Sequence, residues 1–166
     1  MKRFIITATL VLLISTMLFA EGYISANDLD PAKYTSAVTI DGFTFNATES
    51  KAIEIQSMDE RTAPDGEIFN NRIKLNGAGN KDQLSITFEA KKGETVTVYL
   101  NSSSKTDERV LTLFTPADAT PIQTIAAPPA TGDNTTGMGT FTIGKDGTYT
   151  IGSAKSGIYI YAIVIE

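Results

Sequence analysis

Hydrophobic and polar positions alternate with a period of two along most of this chain, and clusters of turn residues separate the alternating runs. The clearest run is ETVTVYL, in which Val96, Val98 and Leu100 share one face while Thr95, Thr97 and Tyr99 share the other. QLSITFEA places Leu84, Ile86 and Phe88 on one face. The KKGE that joins these runs (Lys91 to Glu94) predicts a hairpin, with Gly93 able to take a positive φ. The same reading predicts strands over Tyr34 to Ile40, Phe43 to Thr48, Ala52 to Ser57, Arg72 to Leu75, Arg109 to Phe114 and Pro121 to Ala126. GTFTIG, GTYTIG and GIYIYAIVI complete a set of about ten or eleven short strands, the signature of an antiparallel β-sandwich or barrel.

Between these runs, AAPPATGDNTTGMG (Ala126 to Gly139) reads as a surface loop within the same domain, because too few strands follow it to form a core of their own. GTFTIGKDGTYTIG holds a near-duplicate G-T-F/Y-T-I-G around KDG and predicts a second hairpin. The closing strand is apolar on both faces. Strict alternation assigns Ile158, Ile160, Ala162 and Val164 to the core, and Tyr159, Tyr161, Ile163 and Ile165 to the other face. Such a strand is expected at the centre of its sheet, partly covered by a loop such as AAPPATG, with Tyr159 the residue left available to a ligand.

The first residues change the picture of where the protein works. Lys2 and Arg3 precede an apolar stretch from Phe4 to Phe19, and Ala20 closes it, the pattern of a signal peptide at residues 1–20 with the domain over 21–166. SAN, ending at Ala26 and Asn27, offers a second cleavage position after Ala26. A secreted, periplasmic or cell-surface destination follows. The mature chain of about 146 residues is the size of one domain. With Lys2 and Arg3 removed, 12 basic residues face 19 acidic ones, a net charge of −7 that disfavours nucleic acid and anionic membranes as partners. The chain has neither Cys nor His. Packing and hydrogen bonds must therefore hold it together, and the commonest general base and metal ligand are both missing.

FNNRIKLNGAG, LSITFEAKKGETVTVYLNSSS, RVLTLF and GTYTIGSAKSGIYIYAIVIE, in that order, together with the upstream ANDLDPAKYTSAVTIDGFTFNAT, resemble the β-sandwich modules appended to secreted bacterial pectate lyases. The resemblance implies an all-β, jelly-roll-like antiparallel β-sandwich that is carbohydrate-associated. It also implies pectin or another plant cell-wall polysaccharide as the ligand class. Such modules accompany a large catalytic domain, whereas here the signal peptide leads directly into the module.

A polymer of acidic sugar rings needs cations for its carboxylates, polar groups for its hydroxyls and an aromatic face for stacking. Arg72 and Lys74 project together from RIKL, Arg109 opens a strand beside the polar loop NSSSKTDE, and Lys155 sits in the turn before the last strand. Tyr99 and Tyr159 are the candidate stacking residues. Each has a plainer reading: solvated or paired cations, packing aromatics, a Ser-rich turn that satisfies its own backbone, and Arg109 as a pin for its loop. Calcium is the one metal to consider, through hard oxygens in DGEIFNN from Asp65 and in Gly132 to Asn134. No EF-hand spacing is present, turn chemistry explains both stretches without an ion, and no other cofactor is implied. Nothing singles out a carboxylate pair for glycoside hydrolysis. The expectation is a non-catalytic polysaccharide-binding module; the alternative is a structural or adhesive protein that uses the same sandwich without sugar.

Overall fold

The computed structural model describes residues 22–115 and 117–166, so the signal peptide expected at residues 1–20 lies outside the described residues. Thirteen strands follow in order: β1 (Gly22–Ser25), β2 (Ala32–Tyr34), β3 (Val38–Ile40), β4 (Phe43–Asn46), β5 (Ile53–Thr62), β6 (Ile68–Leu75), β7 (Ser85–Ala90), β8 (Thr95–Ser102), β9 (Arg109–Thr115), β10 (Asp118–Ala127), β11 (Gly137–Thr142), β12 (Gly147–Ser153) and β13 (Ile158–Ile165). A single 3-10 turn, Ala26–Asp28, is capped by the Ser25 hydroxyl, which accepts from the Asn27 N–H. The strands form two antiparallel sheets. The first runs β11-β8-β13-β6-β5-β2, with β1 also paired to β13, and the second runs β10-β9-β12-β7-β4-β3.

Inward-facing positions of both sheets meet in one core. Phe43, Phe45, Ile86, Phe88, Leu111, Leu113, Tyr149 and Ile151 of the second sheet pack against Ile53, Ile55, Ile73, Leu75, Val96, Val98, Leu100, Ile158, Ile160, Ile163 and Ile165 of the first. Each large apolar side chain buried there contributes about 1.5–3 kcal/mol. Asp41 and Gly42, at φ 49° and 84°, make the two-residue turn between β3 and β4, with both central residues in the left-handed region.

The strands read from alternation are present, but their connections differ. KKGE and KDG do not close hairpins: β7 and β12 belong to the second sheet, while β8 and β11 belong to the first. Both links cross between sheets, with Gly93 at φ 95° and Gly147 at φ 151°. Alternation identifies which residues share a face, and a short Gly-containing link serves a hairpin or a crossover equally. The run from Tyr34 to Ile40 likewise divides, β2 joining the first sheet and β3 the second.

β13 does lie at the centre of its sheet, between β8 on one side and β6 and β1 on the other. Its register slips between Ile160 and Ala162, and that bulge shifts the alternation. Ile163 and Ile165 therefore join Ile158 and Ile160 in the main core. Tyr161 and Ala162 face outward into a second, smaller cluster with Phe69 and Ala63. Phe69 covers them, its ring stacking on Tyr161 at 5.5 Å and meeting Tyr99 at 5.3 Å, while the Pro128 and Pro129 carbonyls of the Ala126 to Gly132 loop cap Asn101, which holds the Tyr161 hydroxyl. The distal half of the β5-β6 hairpin thus folds over the outer face of the first sheet. β6 pairs with β13 only from Ile158 to Ile160, and β1 takes over the vacated edge from Ala162 to Ile165. Asn27 fastens the crossing: its side-chain amide donates to the Ile68 carbonyl, and its side-chain oxygen accepts from the N–H groups of Asn70 and Asn71.

This architecture makes residues 22–26 part of the fold, with Ile24 and Ala26 2% and 0% exposed. A chain beginning at Asn27 leaves the β13 edge unpaired and loses Ile24 from the core. We expect it to be less stable by about 2 kcal/mol or more than a chain beginning at Glu21, as a lower denaturant midpoint. Equal midpoints would show that β1 contributes nothing.

Candidate functional site

Cross-strand pairing on the outer face of the first sheet sets Glu54, Lys74, Tyr159 and Asn101 side by side across β5, β6, β13 and β8. Lys74 Nζ lies 3.7 Å from Glu54, and Lys33 Nζ 3.9 Å from the other oxygen of that carboxylate. Such half-exposed pairs add little stability but neutralise one another. Asn101 is 2% exposed and fully partnered: it accepts from the Tyr161 hydroxyl at 2.9 Å and donates to the carbonyls of Pro128 and Pro129. Burial pushes the Tyr161 hydroxyl up to about 12, so it stays a donor at neutral pH.

Arg72 occupies the next position on β6. Its guanidinium lies 4.0 Å from the centre of the Tyr159 ring. Its Nε and Nη2 both donate to Gln56 Oε1, at 3.2 and 2.9 Å. Beside it the β5-β6 pairing is interrupted: Ser57 opposes Asn71 and Arg61 opposes Phe69, so three residues on β5 stand against one on β6. This is a bulge of two extra residues within Met58, Asp59 and Glu60, and it opens a hollow of about 530 Å³ lined by Ser57, Met58, Asp59, Arg61, Arg72 and Asn134. Arg61 closes one wall, donating to the carbonyls of Thr131 and Thr135 at 3.4 and 2.9 Å. Asn134, at φ 56°, accepts the Thr62 N–H through its carbonyl.

What distinguishes this groove is the polar capacity left over. Among the described residues, neither Arg61 nor Arg72 has an ion-pair partner, and the side chains of Asp59 and Asn134 have no hydrogen-bond partner. Donors, acceptors and the apolar Met58 therefore face one open space. A second hollow of about 470 Å³, at the other end of the sandwich, is lined by Glu89, Lys91, Glu94 and Asp146. There Glu94 accepts the Lys91 N–H, Asp146 the Lys92 N–H and Glu89 the Thr148 hydroxyl. Its carboxylates already serve the loops that carry them.

Of the six sequence candidates, Arg72, Lys74 and Tyr159 come together on this face. Tyr99 points from the same face but sits in the smaller cluster, its ring against Phe69 and its hydroxyl donating to Asp65 at 2.6 Å. Arg109 is turned into its own loop, bonded to the Ser103 hydroxyl and the Gly157 carbonyl. Lys155 stands exposed in the turn before β13. The two stretches considered for calcium hold their carboxylates in turn chemistry. Asp65 accepts from Tyr99 and the Glu67 N–H, and Asp133 from the Thr131 and Thr135 hydroxyls and the Thr135 N–H. Among the described residues no three acidic side chains converge on a point fit for a metal ion.

Sequence reasoning missed Met58, Asp59 and Arg61, and considered Asn134 only as an oxygen ligand for calcium. A signal was present: after Glu54 and Gln56 face outward, an apolar Met58 at the next outward position breaks the alternation, as a bulge does.

The family model for the bacterial pre-peptidase C-terminal domain matches residues 82–152. No curated protein matches the chain. Among solved structures, CsCBM6-3 from Clostridium stercorarium in complex with cellobiose is similar at 14% identity and a TM-score of 0.46, over 89% of this chain and 94% of that one. The carbohydrate-binding module of Cellvibrio mixtus lichenase 5A in complex with cellotriose is similar at 16% identity and a TM-score of 0.42, over 89% and 98%. The CBM51 from Clostridium perfringens GH95 in complex with methyl-galactose is similar at 14% identity and a TM-score of 0.41, over 86% and 99%.

The hairpin cover carries a pH signature. The Tyr99 hydroxyl, followed by the Glu67 N–H, holds the Asp65 carboxyl below the usual carboxylate range, while burial, followed by the Asp65 hydrogen bond, raises the Tyr99 phenol. A carboxyl with a depressed folded pKa stabilises above its unfolded value, near 3.8, and loses that contribution as the pH falls through the folded value. Tyr99→Phe is expected to destabilise by about 1 kcal/mol at pH 7. The deficit should narrow as the pH falls below the ordinary carboxylate range. A deficit independent of pH in urea titrations would show that the Tyr99–Asp65 bond is not its source.

Proposed function

We propose that this chain is an exported, non-catalytic carbohydrate-binding module that holds a polysaccharide in the groove beside the β5 bulge, with a pectin-like cell-wall polymer as the expected ligand. The observation that carries the reading is the bulge itself, which gathers around Met58 in one open hollow two arginines without ion-pair partners and the side chains of Asp59 and Asn134, which have no hydrogen-bond partner among the described residues. A sugar ring presents hydroxyls that donate and accept around its rim and C–H groups on its faces. Asp59 supplies acceptors, the two arginines supply donors, Asn134 supplies both, and Met58 supplies an apolar contact.

A binding role, not a catalytic one, suits this set. Among the described residues Asp59 is the one carboxylate lining the groove, whereas glycoside hydrolysis uses a pair. Each guanidinium presents several N–H donors in a fixed fork, which suits these groups to anchoring ligand oxygens. Two arginines against one aspartate make the groove locally positive within a mature chain of net charge −7, and this favours an acidic polymer.

Electrophoresis through native gels containing polygalacturonate, arabinan, a soluble glucan or no polymer tests the reading. We expect retardation on at least one polymer. Asp59→Ala should weaken that retention by about tenfold, the scale of a charge-assisted hydrogen bond. Lys51→Ala, outside the groove, should not change it. Unchanged mobility in every gel would reject a sugar-binding role, and growth of unsaturated-product absorbance would reject a non-catalytic one.

A further inference from the structure

Three contacts fix the guanidinium of Arg72. Gln56 Oε1 takes the edge formed by Nε and Nη2, and the guanidinium carbon lies over the Tyr159 ring, 4.0 Å from its centre. The opposite edge, formed by Nη1 and the second hydrogen of Nη2, has no partner among the described residues, and Arg72 lines the groove. Gln56 is itself restrained, its amide donating to Glu54 Oε2 at 2.7 Å. That carboxylate is in turn shared between Lys33 and Lys74. The acid nearest in sequence to Arg72's pairing partners is thereby occupied, and the partner of Arg72 is a neutral amide. A guanidinium held by a neutral acceptor and a ring, with one two-pronged edge free and no carboxylate among the described residues within ion-pair distance, is preorganised for a planar, two-oxygen anion.

From this geometry we infer that the groove is a receptor for the carboxylate of an acidic sugar residue, in which Arg72 makes the contact while Tyr159 and Gln56 are positioning residues. The inference rests on the carbohydrate-binding reading and deepens it. It also reassigns Tyr159: the face of its ring beneath Arg72 is taken, so its part is to hold the guanidinium and not to stack on the sugar there. Asp59 lies in the same hollow and repels an anion. Arg61 offsets that repulsion, and the sugar hydroxyls give Asp59 donors to accept from.

The test compares trigalacturonate, its methyl ester and a neutral oligosaccharide by isothermal titration calorimetry on the full mature chain. Methyl esterification removes the charge and one strong acceptor while keeping the ring. The wild type is expected to bind the acid at least about tenfold more tightly than the ester, the scale of a charged hydrogen-bonded contact. Arg72→Lys should abolish most of that preference, because an ammonium has no fork to match the carboxylate. Tyr159→Leu and Gln56→Leu should each lower affinity for the acid by about three- to fivefold and leave affinity for the ester unchanged. Tyr159→Phe keeps the ring and should bind as the wild type does. A thermal melt of each variant separates loss of fold from loss of binding.

Equal binding of acid and ester, with both weakened by Asp59→Ala, would overturn the carboxylate inference while leaving a sugar-binding groove. A Tyr159→Leu variant that loses acid and ester alike would overturn the positioning role. Failure of every oligosaccharide to bind would remove the carbohydrate reading together with the inference.

Discussion

The contact of Phe69 with the rings of Tyr161 and Tyr99 is the constraint from which the working face of this protein follows. Alternation turns Tyr161 away from the main core and the slip in β13 adds Ala162 beside it, and an apolar pair on an outer face must be covered or it exposes a hydrophobic patch. Phe69 supplies the cover, and to reach it the β5-β6 hairpin leaves the sheet edge and folds across the face. That departure has two consequences: β13 acquires a free edge, which β1 fills, and β5 must follow a different curve from β6. The two extra residues in β5 accommodate this mismatch, and the groove is the space they open.

Polar bonds then lock the folded hairpin from three sides. Asn27 holds β6, Asp65 holds Tyr99 of β8, and Arg61 holds the loop that leads into β11. Each of these partners is distant in sequence, so the hairpin is positioned by tertiary contacts and not by its own propensity. A groove walled by elements fastened in this way is formed before any ligand arrives, which would lower the entropy cost of binding one.

Much of the sandwich is visible in the chain itself. The alternation in ETVTVYL and QLSITFEA gives strands whose inward residues are Val96, Val98, Leu100, Ile86 and Phe88, and all five are buried. Sheet membership is not visible there, because a period of two records faces and not neighbours. KKGE and KDG are therefore crossovers where a hairpin was the natural expectation. Nor does the slip at Tyr161 leave a mark in residue type. Ile163 and Ile165 are apolar in either phase, so nothing in IYIYAIVIE favours one alternation over the other.

The site divides in the same manner. Arg72, Lys74 and Tyr159 follow from strand periodicity and do share a face. Met58 leaves one local mark, an apolar residue at an outward position, but Asp59, Arg61 and Asn134 are brought together by the bulge and by a loop 70 to 74 residues from Arg61. The most direct measurement of the account is a deletion of Asp59 and Glu60, which restores one-to-one pairing between β5 and β6 while keeping Phe69, Arg61 and Arg72. If the bulge makes the groove, this variant will keep a cooperative melt, at a lower midpoint because β5 can no longer accommodate its different curve, and lose retention on every polysaccharide that retards the wild type. A folded variant with undiminished retention would contradict the account and place binding elsewhere on the sandwich.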